Sequence, residues 1–574
     1  MKVWDKFALG CILLVSLALR LKPSFGCALW GEDSGEYIYL VKRVIETGSI
    51  SFDYSGWGIA YPYFPGSYIL ESAVVQVSSL PMVPVVGMLL PSISAFSSIL
   101  IYLLVKQIGG GFKPAIISSS FWAVAMPIVY PTSFPIPGSL GGFLLLLSVL
   151  LYLKSREEPK FYILLLPSTL ALVLTHHLST YFFFITILFS IFLKNFIAKK
   201  PPYHLFSDVC YLTFLLTFTF GYWMFVAIPF RDAIISDAFD IPAIFVLLLA
   251  YLVIPILLLV GEFRRRFVWM SSWLYKPKFP DVAKIKLMLS LGIISSILLC
   301  ILLLVTARIP GTEIPITQLH ILFVIPCIVI VFFAFVGISF AEYYKDGFFV
   351  YSWLIVYVLS FIVAVITNNR VLIPFRHMQY IMEPLCIFSG LGLTLIYKFL
   401  IPHKTTSGEI RNMLPRKFIS SFVFVLLIMS ACFSIPPQEL NGGFVDGTSD
   451  TELTAAYWVE HSLNDTATFV SDHRMCSILF GFSGVNQTGD QGKDLLLSSK
   501  FEKEKWTNHT TPAGRRVVDH VLIDDAVSSG ISGPPWEDAP KMNDSAKRKF
   551  ESEPFVKIFQ ANDVTIYRVD YSFV

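Results

Sequence analysis

Long apolar stretches, separated by short polar segments, cover the first three quarters of this chain. A helix needs about 20 predominantly apolar residues to cross a bilayer. Such runs are predicted at 4–21, 82–105, 114–131, 139–153, 161–175, 178–193, 205–229, 241–261, 287–306, 318–340, 348–367, 378–397 and 418–435. The pattern therefore predicts an α-helical polytopic membrane domain over residues 1–435, with about 13 transmembrane helices.

Residues 436–574 lack such runs and are predicted to form a soluble α/β domain, called here the C-terminal domain. Periodicity predicts a helix over 451–462, strands over 467–470 and 517–523, and a hairpin over 556–571. All the Asn-x-Ser/Thr sequons of the chain lie in this domain, which suits exposure to a glycosylation machinery. The candidate N-glycosylation sites are Asn464, Asn486, Asn508 and Asn543.

Lysine and arginine concentrate in alternate loops between the predicted helices. The loops rich in lysine and arginine lie at 106–113, 154–160, 194–200, 264–286 and 398–417. Because cytoplasmic loops carry the excess of these residues, we predict a multi-pass protein of the plasma membrane with a cytoplasmic N-terminus. The first outer loop, residues 22–81, and the C-terminal domain are then extracellular. The first apolar run could instead be a cleaved signal peptide, which leaves the first outer loop on the same side.

Composition agrees with a membrane protein and excludes other classes. The 574 residues are 55% hydrophobic and 15% charged, whereas soluble domains are roughly 25% charged. The formal net charge of +3 gives no bulk attraction to nucleic acid, so no nucleic-acid partner is expected. Most of the 8 cysteines lie inside apolar runs, which argues against a disulfide scaffold.

Three acidic residues stand at the start of an amphipathic pattern in the first outer loop. Glu32, Asp33 and Glu36 precede or begin a predicted helix that Gly48 ends and that we expect along the membrane surface. Asp33 and Glu36 fit a capping box, which needs no catalytic role. Alternatively Asp33 is a catalytic carboxylate. Glu32 and Asp33 are also candidate ligands of a divalent cation such as Mg²⁺ or Mn²⁺.

Residues 374–380 enter a late helix from the outer side and contain an arginine and a tyrosine one helical turn apart. Arg376 and Tyr380 can therefore face one site. A guanidinium group binds phosphate oxygens in a forked geometry, so the pair is a candidate phosphate site. The alternative is an interfacial arginine that reaches lipid headgroups.

Weaker candidates for substrate binding lie in the other outer segments. His176 and His177 end a helix at the outer face and could bind phosphate or metal, although the position favours an interfacial placement. Tyr61 and Tyr63 belong to an aromatic, turn-rich segment that could line a sugar or lipid groove, or form part of an aromatic belt. The remaining candidates are Glu36, Arg308 and His377.

The chain resembles the GT-C superfamily of membrane glycosyltransferases. The resemblance rests on the apolar first helix ending at Arg20, the acidic pair followed by residues 35–38, the Thr47-Gly48 end, and residues 374–380. The superfamily includes protein O-mannosyltransferases, aminoarabinose transferases and oligosaccharyltransferases, and the likeness to archaeal members is closest. The resemblance implies a GT-C-like fold with Asp33, then Glu32, as the catalytic carboxylate. It also implies that Arg376 binds the phosphate of a polyprenyl donor.

The expected function is therefore a glycosyltransferase that moves a hexose or pentose from a polyprenyl (dolichyl) phosphate to a glycan, lipid or protein, with inversion. Two motifs of metal-dependent oligosaccharyltransferases are missing, an acidic one around residues 130–138 and a Trp-Trp-Asp motif in the C-terminal domain. Their absence favours transfer of a single sugar. The alternatives are a lipid or glycolipid flippase, and a noncatalytic membrane scaffold. A flippase is expected to carry ionisable residues deep in its helices, and the predicted helices are almost free of them.

Overall fold

The computed structural model describes residues 3–197, 204–236, 251–256, 282–306, 308–367, 372–400, 416–443, 445–533 and 539–573. Most of the predicted run at 241–261 lies outside the described residues, and so do the cation-rich segments 257–281 and 401–415. Every other predicted run coincides with one or two helices.

The first 435 residues form a bundle of helices with one large apolar core. The helices are α1 (Val3–Leu21), α2 (Ser34–Thr47), α3 (Gly66–Ser78), α4 (Met82–Ala95), α5 (Ser97–Gln107), α6 (Phe112–Val124), α7 (Met126–Ser133), α8 (Pro137–Ser155), α9 (Tyr162–Thr175), α10 (His177–Ile197), α11 (Leu205–Phe225), α12 (Ile228–Ser236), α13 (Val282–Thr306), α14 (Gln318–Ser339), α15 (Gly347–Thr367), α16 (His377–Leu400) and α17 (Arg416–Cys432). In the described part of the chain, 7 helical segments are long and apolar enough to cross a membrane, or 8 if the bent pair α6–α7 is one span. The number of about 13 spans remains a prediction.

The described helices bury several ionisable side chains, contrary to the prediction. Arg20 in α1 is fully buried and lies over the Trp122 ring at 4.4 Å. Asp208 in α11 is 3.5 Å from Arg156. Glu383 in α16 is buried as well. Mean hydropathy misses such residues because a single polar group hardly changes the average of a long apolar window.

The C-terminal domain is a five-stranded sheet with helices packed on it. The order is β4-β3-β7-β9-β8, in which β3 is parallel to β4 and β7, while β9 is antiparallel to β7 and β8. The strands of the whole chain are β1 (Leu29–Trp30), β2 (Gly447–Thr448), β3 (Thr468–Val470), β4 (Asn486–Gln487), β5 (His509–Thr511), β6 (Gly514–Arg516), β7 (His520–Ile523), β8 (Phe555–Ala561) and β9 (Val564–Val569). The helices are α18 (Asp450–Ser462), α19 (His473–Ser483), α20 (Lys493–Leu497), α21 (Lys503–Thr507), α22 (Asp525–Ser529) and α23 (Asp544–Lys549).

The helix and the hairpin predicted in this domain are confirmed. Residues 450–462 form α18, which begins with a capping box made by Ser449 and Glu452. Strands β8 and β9 form the hairpin, and Asn562 in its turn has a φ of 47°, a conformation that asparagine tolerates better than most residues.

The first outer loop and the C-terminal domain are joined by a strand pair and a helix crossing. Strand β1 pairs antiparallel with β2. Helix α2 crosses α19 where Gly35 meets the backbone of Ser477 and where Gly481 meets Gly35. The apolar face of α2 lies in one buried cluster with residues of the C-terminal domain. Lys42 on its polar face donates to Glu460 at 2.7 Å.

The expectation that α2 lies along the membrane surface is therefore wrong. Its apolar face packs on protein, since Tyr37, Ile38 and Val41 are buried, and Lys42 on the polar face contacts the C-terminal domain. The amphipathic pattern is the same for a helix packed between two layers of protein as for one on a lipid surface, so periodicity alone does not separate the two cases.

We predict that Gly35→Ala weakens the docking of the C-terminal domain. A Cβ on Gly35 would lie 2.0 Å from the Ser477 carbonyl oxygen, and overpacking of this kind costs about 1–3 kcal/mol. The melting temperature of the purified protein in detergent should fall. Gly221→Ala in α11 is the matched control, because its Cβ meets nothing within 4 Å. Equal melting temperatures for the two variants would contradict the prediction.

Candidate active site

Asp33 precedes α2, and its carboxylate does not cap that helix. The residue makes no side-chain capping hydrogen bond. Instead Oδ1 accepts a hydrogen bond from His473 Nε2 at 2.9 Å, and Oδ2 accepts one from the Tyr61 hydroxyl at 2.9 Å. The capping-box interpretation is therefore wrong, because stronger charged and phenolic donors from outside the helix hold the carboxylate. A quarter of the Asp33 side chain remains exposed.

His473 is the first residue of α19 and bridges two carboxylates. Its Nδ1 is 2.8 Å from Asp490 Oδ1, and Asp490 Oδ2 accepts from Trp57 Nε1 at 3.0 Å. Asp472 before it caps α19 by accepting from the Met475 N–H at 2.8 Å. The result is a chain of contacts, Asp33–His473–Asp490–Trp57, that begins and ends in the first outer loop and passes through the C-terminal domain.

Both members of the Asp33–His473 contact are charged at neutral pH. Burial opposes the charge of His473, but its hydrogen bond to Asp33 and the nearby charges of Asp33 and Asp490 outweigh it and hold its pKa well above the ordinary value. Burial likewise opposes ionisation of Asp33, but His473, the Tyr61 hydroxyl and the charge of Arg376 together lower its pKa. Asp33 is thus an ionised carboxylate with an imidazolium partner.

The other two acidic candidates differ from Asp33. Burial, and then the neighbouring charge of Asp446, raise the pKa of Glu32 well above its ordinary value. Burial raises the pKa of Glu36 to about 7. Glu36 is fully buried and accepts hydrogen bonds from the Tyr54 hydroxyl and from Gln487 Nε2, so it anchors the first outer loop to β4.

Arg376 ends a short 3₁₀ helix, Pro374–Arg376, at the entrance to α16. Its side chain is exposed, and its charge acts on Asp33, His176 and His177. Among the described residues, its guanidinium makes no hydrogen bond and no ion pair. The structure therefore brings Arg376 and Asp33 to one region and leaves the cation available.

Tyr380 lies one turn after Arg376 but is buried rather than open to the site. Its hydroxyl is 2.8 Å from Ser179 Oγ, which is 2.8 Å from His176 Nδ1. Tyr380 also stacks on Phe182 at 4.2 Å. Tyr380 and His176 are thus connected through the Ser179 hydroxyl and lie near Arg376.

Two further candidates, His377 and His177, have partners that leave them little freedom to bind substrate. Both ring nitrogens of the buried His377 are occupied, Nε2 by Ser360 Oγ at 2.9 Å and Nδ1 by the Ile373 carbonyl at 3.1 Å. The His177 ring packs on aromatic rings at 5.3 and 4.5 Å. Tyr63 is half-buried, and its ring packs on Phe52 with centroids 4.7 Å apart, while its backbone carbonyl accepts a hydrogen bond from the Tyr222 hydroxyl at 2.6 Å.

Arg308 lies in a neighbouring loop and has an exposed side chain. Its backbone forms an isolated bridge with Pro315, and Gly311 between them packs on Pro374. The loop therefore borders the segment that carries Arg376. Within the part of the chain that the structure describes, Arg308 makes no side-chain contact with the residues around Asp33.

The donor set around Asp33 does not fit a divalent cation. The described residues contain no group of three or more His, Cys, Asp or Glu side chains that could hold a metal ion. Both oxygens of Asp33, the first proposed ligand, already have partners, Oδ1 in His473 Nε2 and Oδ2 in the Tyr61 hydroxyl. Hard cations need several anionic or neutral oxygen ligands.

The four sequons differ in accessibility. The side chains of Asn464, Asn508 and Asn543 are exposed, whereas Asn486 is half-buried in β4 and donates from its amide to the Thr466 carbonyl. Their modification remains a prediction.

Sequence reasoning missed the contribution of the C-terminal domain to this site. His473 follows β3 and Asp490 follows β4, at the carboxyl ends of two parallel strands. Ligands of open α/β sheets bind at that edge. Polar residues directly after the predicted strand at 467–470 were therefore the signal that could have pointed to His473.

The comparisons with known proteins agree with this architecture. No protein-family model matches the chain, and no curated protein matches it. Among solved structures, the oligosaccharyltransferase AglB from Archaeoglobus fulgidus, in complex with an inhibitory peptide and a dolichol-phosphate, matches with a TM-score of 0.56 at 12% identity, over 100% of this chain and 75% of that one. The same organism's oligosaccharyltransferase tethered to an acceptor peptide matches at 0.54 and 14%, over 91% and 69%.

A third solved structure is the arabinofuranosyltransferase AftD from Mycobacteria, with a TM-score of 0.53 and 12% identity, over 98% of this chain and 40% of that one. At these identities the likeness is one of fold. The resemblance inferred from the sequence is confirmed at that level, and the chain has the fold of the GT-C membrane glycosyltransferases.

Proposed function

We propose that this protein is an integral membrane glycosyltransferase that moves a sugar from a polyprenyl (dolichyl) phosphate to an extracytoplasmic acceptor. One observation carries the proposal. An ionised, partly exposed carboxylate, Asp33, lies within the electrostatic reach of an arginine, Arg376, whose guanidinium has no hydrogen-bonding partner among the described residues. A sugar bound to a lipid phosphate needs both charges, one for the acceptor and one for the phosphate.

The fold supports a lipid-linked donor. Structures that share it include one with a bound dolichol-phosphate, and we extend that donor class to this chain as part of the proposal. A polyprenyl phosphate reaches a site at the bilayer surface by lateral movement, and the apolar helices give its tail a place to lie. The acceptor is a glycan, a lipid or a protein, and the sugar is a hexose or a pentose.

In the proposed reaction, a nucleophilic atom of the acceptor attacks the anomeric carbon of the sugar. The bond between that carbon and the phosphate oxygen breaks, and its electron pair leaves with the polyprenyl phosphate. The proton of the acceptor passes to Asp33, whose oxygens keep free lone pairs beside the bonds to His473 and Tyr61. A single displacement of this kind inverts the anomeric centre.

The lowered pKa of Asp33 sets the timing of proton transfer. A weakly basic carboxylate takes little of the proton before attack, but the acceptor becomes much more acidic as its bond to the sugar forms. Arg376 neutralises the charge that grows on the phosphate at the same time. Tyr380 and His176, which both contact Ser179, line the side of the phosphate site.

We predict that Asp33→Asn lowers turnover by about a thousandfold, within the 10²–10⁴ range of general-base catalysis. The amide keeps the size of the carboxylate but does not accept the proton. The measurement is transfer of radiolabelled sugar from polyprenyl phosphate to membrane acceptors by purified protein. Asp53→Asn is the matched control, because Asp53 is an exposed acid of the same loop. Neither a flippase nor a scaffold would transfer sugar. In a flippase, Asp33→Asn would leave the rate of lipid movement unchanged.

We predict that Arg376→Gln lowers kcat/KM for the lipid donor by about 10- to 100-fold, since a hydrogen bond to a charged group contributes about 1.5–3 kcal/mol. Arg376→Lys should be intermediate, because lysine keeps the charge but lacks the planar fork. Donor titrations at saturating acceptor give both constants. Arg308→Gln, in the neighbouring loop, is the control. A kcat/KM for Arg376→Gln equal to that of Arg308→Gln would contradict the assignment.

A further inference from the structure

We propose that the C-terminal domain supplies the catalytic carboxylate with a permanent counter-charge, and that His473, clamped between Asp33 and Asp490, takes the place a divalent cation would have. His473 is thus a positioning residue that holds Asp33 ionised and oriented. This inference rests on the proposed function, because it assigns His473 a part in the reaction that Asp33 is proposed to carry.

The clamp requires a doubly protonated ring. Nε2 donates a hydrogen bond to Asp33 Oδ1 at 2.9 Å, and Nδ1 lies at ion-pair distance, 2.8 Å, from Asp490 Oδ1 without the alignment of a hydrogen bond. Because carboxylates are acceptors only, an imidazole with a carboxylate on each nitrogen is at its most stable with a proton on both. The side chain of His473 is only 4% exposed, so water competes little with either contact.

The position of the ring is determined from several directions. Trp57 donates to Asp490 and places its indole edge-on to the His473 ring, with centroids 4.8 Å apart. The His473 backbone N–H donates to the Ser532 carbonyl at 3.3 Å. Asp472 fixes the start of α19. An imidazolium held this firmly presents one defined N–H to Asp33, which fixes the direction of the remaining carboxylate lone pairs.

The next cation in the chain does not share this role. Arg474 is fully buried and pairs with Glu452 at 2.8 Å and Asp524 at 3.1 Å. It therefore serves the interior of the C-terminal domain. Of these two adjacent cations in α19, His473 alone faces the first outer loop.

Charged groups from three parts of the chain surround the Asp33–His473 pair. They are Glu32, Asp33 and Glu36 from the first outer loop, Arg376 directly before α16, and Asp446, Asp472, Arg474 and Asp490 from the C-terminal domain. Acids are in the majority, and they favour the imidazolium. A metal ion on Asp33 Oδ1 would have to displace the Nε2 contact and would meet the repulsion of that charge.

The test uses the full chain with His473→Gln. Glutamine can still donate one hydrogen bond to Asp33 but carries no charge. We expect kcat to fall at least about tenfold, as loss of an ionic hydrogen bond does, with little change in the KM for the donor. The acid limb of the pH–kcat profile should move to higher pH by about 1 to 3 pH units, because an adjacent cation lowers a carboxylate pKa by that amount.

A second variant, Asp490→Asn, tests the charge of the ring itself. With one carboxylate removed, the pKa of His473 falls toward its ordinary value, so the imidazolium loses its proton at lower pH. Activity should then decline on the alkaline side at a lower pH than in the wild type. A purely structural role would lower activity equally at every pH. His520→Gln is the matched control, because this buried ring pairs with the single carboxylate of Asp519 in the same domain, and it should keep the wild-type profile.

Chelation completes the experiment. Wild-type turnover should be unaffected by EDTA. Loss of activity in EDTA with recovery in Mg²⁺ or Mn²⁺ would overturn the inference, and so would an unchanged kcat and pH profile for His473→Gln. In both cases the wild type still transfers sugar, and the proposed function stands. Absence of sugar transfer by the wild type would overturn the proposed function and this inference together.

Discussion

The contact on which the rest of the site depends is the crossing of α2 and α19 at Gly35 and Gly481. Because neither residue carries a side chain, the two backbones approach so closely that a Cβ on Gly35 would lie 2.0 Å from the Ser477 carbonyl oxygen. Asp33 stands directly before α2, and His473 begins α19. The spacing of the two helices therefore sets the distance between the Asp33 carboxylate and the His473 imidazole. Close packing of the two backbones brings this charged pair into contact.

Burying that pair is tolerated only because each charge has partners. A buried ion without them costs several kcal/mol. Asp33 and Asp490 carry two negative charges and His473 one positive charge, so the group retains one negative charge. Arg376 offers the compensating charge but stays exposed and without an ion-pair partner among the described residues. In the proposed function, an anionic phosphate is drawn to the Arg376 side of the site, which leaves the Asp33 side to the acceptor.

Much of the architecture could be predicted from the sequence, because hydropathy and periodicity act within a short window. The apolar runs, α18 and the β8–β9 hairpin are local features of this kind. The alternative in which Asp33 caps α2 and the prediction that α2 lies on the membrane surface were both wrong, since both depend on residues more than 400 positions away. His473 and Asp490 escaped notice for the same reason. Local pattern reveals neither which face of a helix a distant domain covers nor which buried charge it supplies.

The topology of the C-terminal domain gives a reason for its place in the site. Its parallel strands β3, β4 and β7 are followed by Asp472 and His473, by Asp490, and by Asp524, respectively. Parallel strands bring such residues to one edge of the sheet. Asp524 holds Arg474 within the domain, while His473 and Asp490 turn toward the first outer loop. Covering the membrane helices alone would not require charged residues such as His473 and Asp490 at the sheet edge next to Asp33. The sheet therefore contributes His473 and Asp490 from the carboxyl edge of its parallel strands, and the first outer loop of the same chain contributes Asp33 and Trp57.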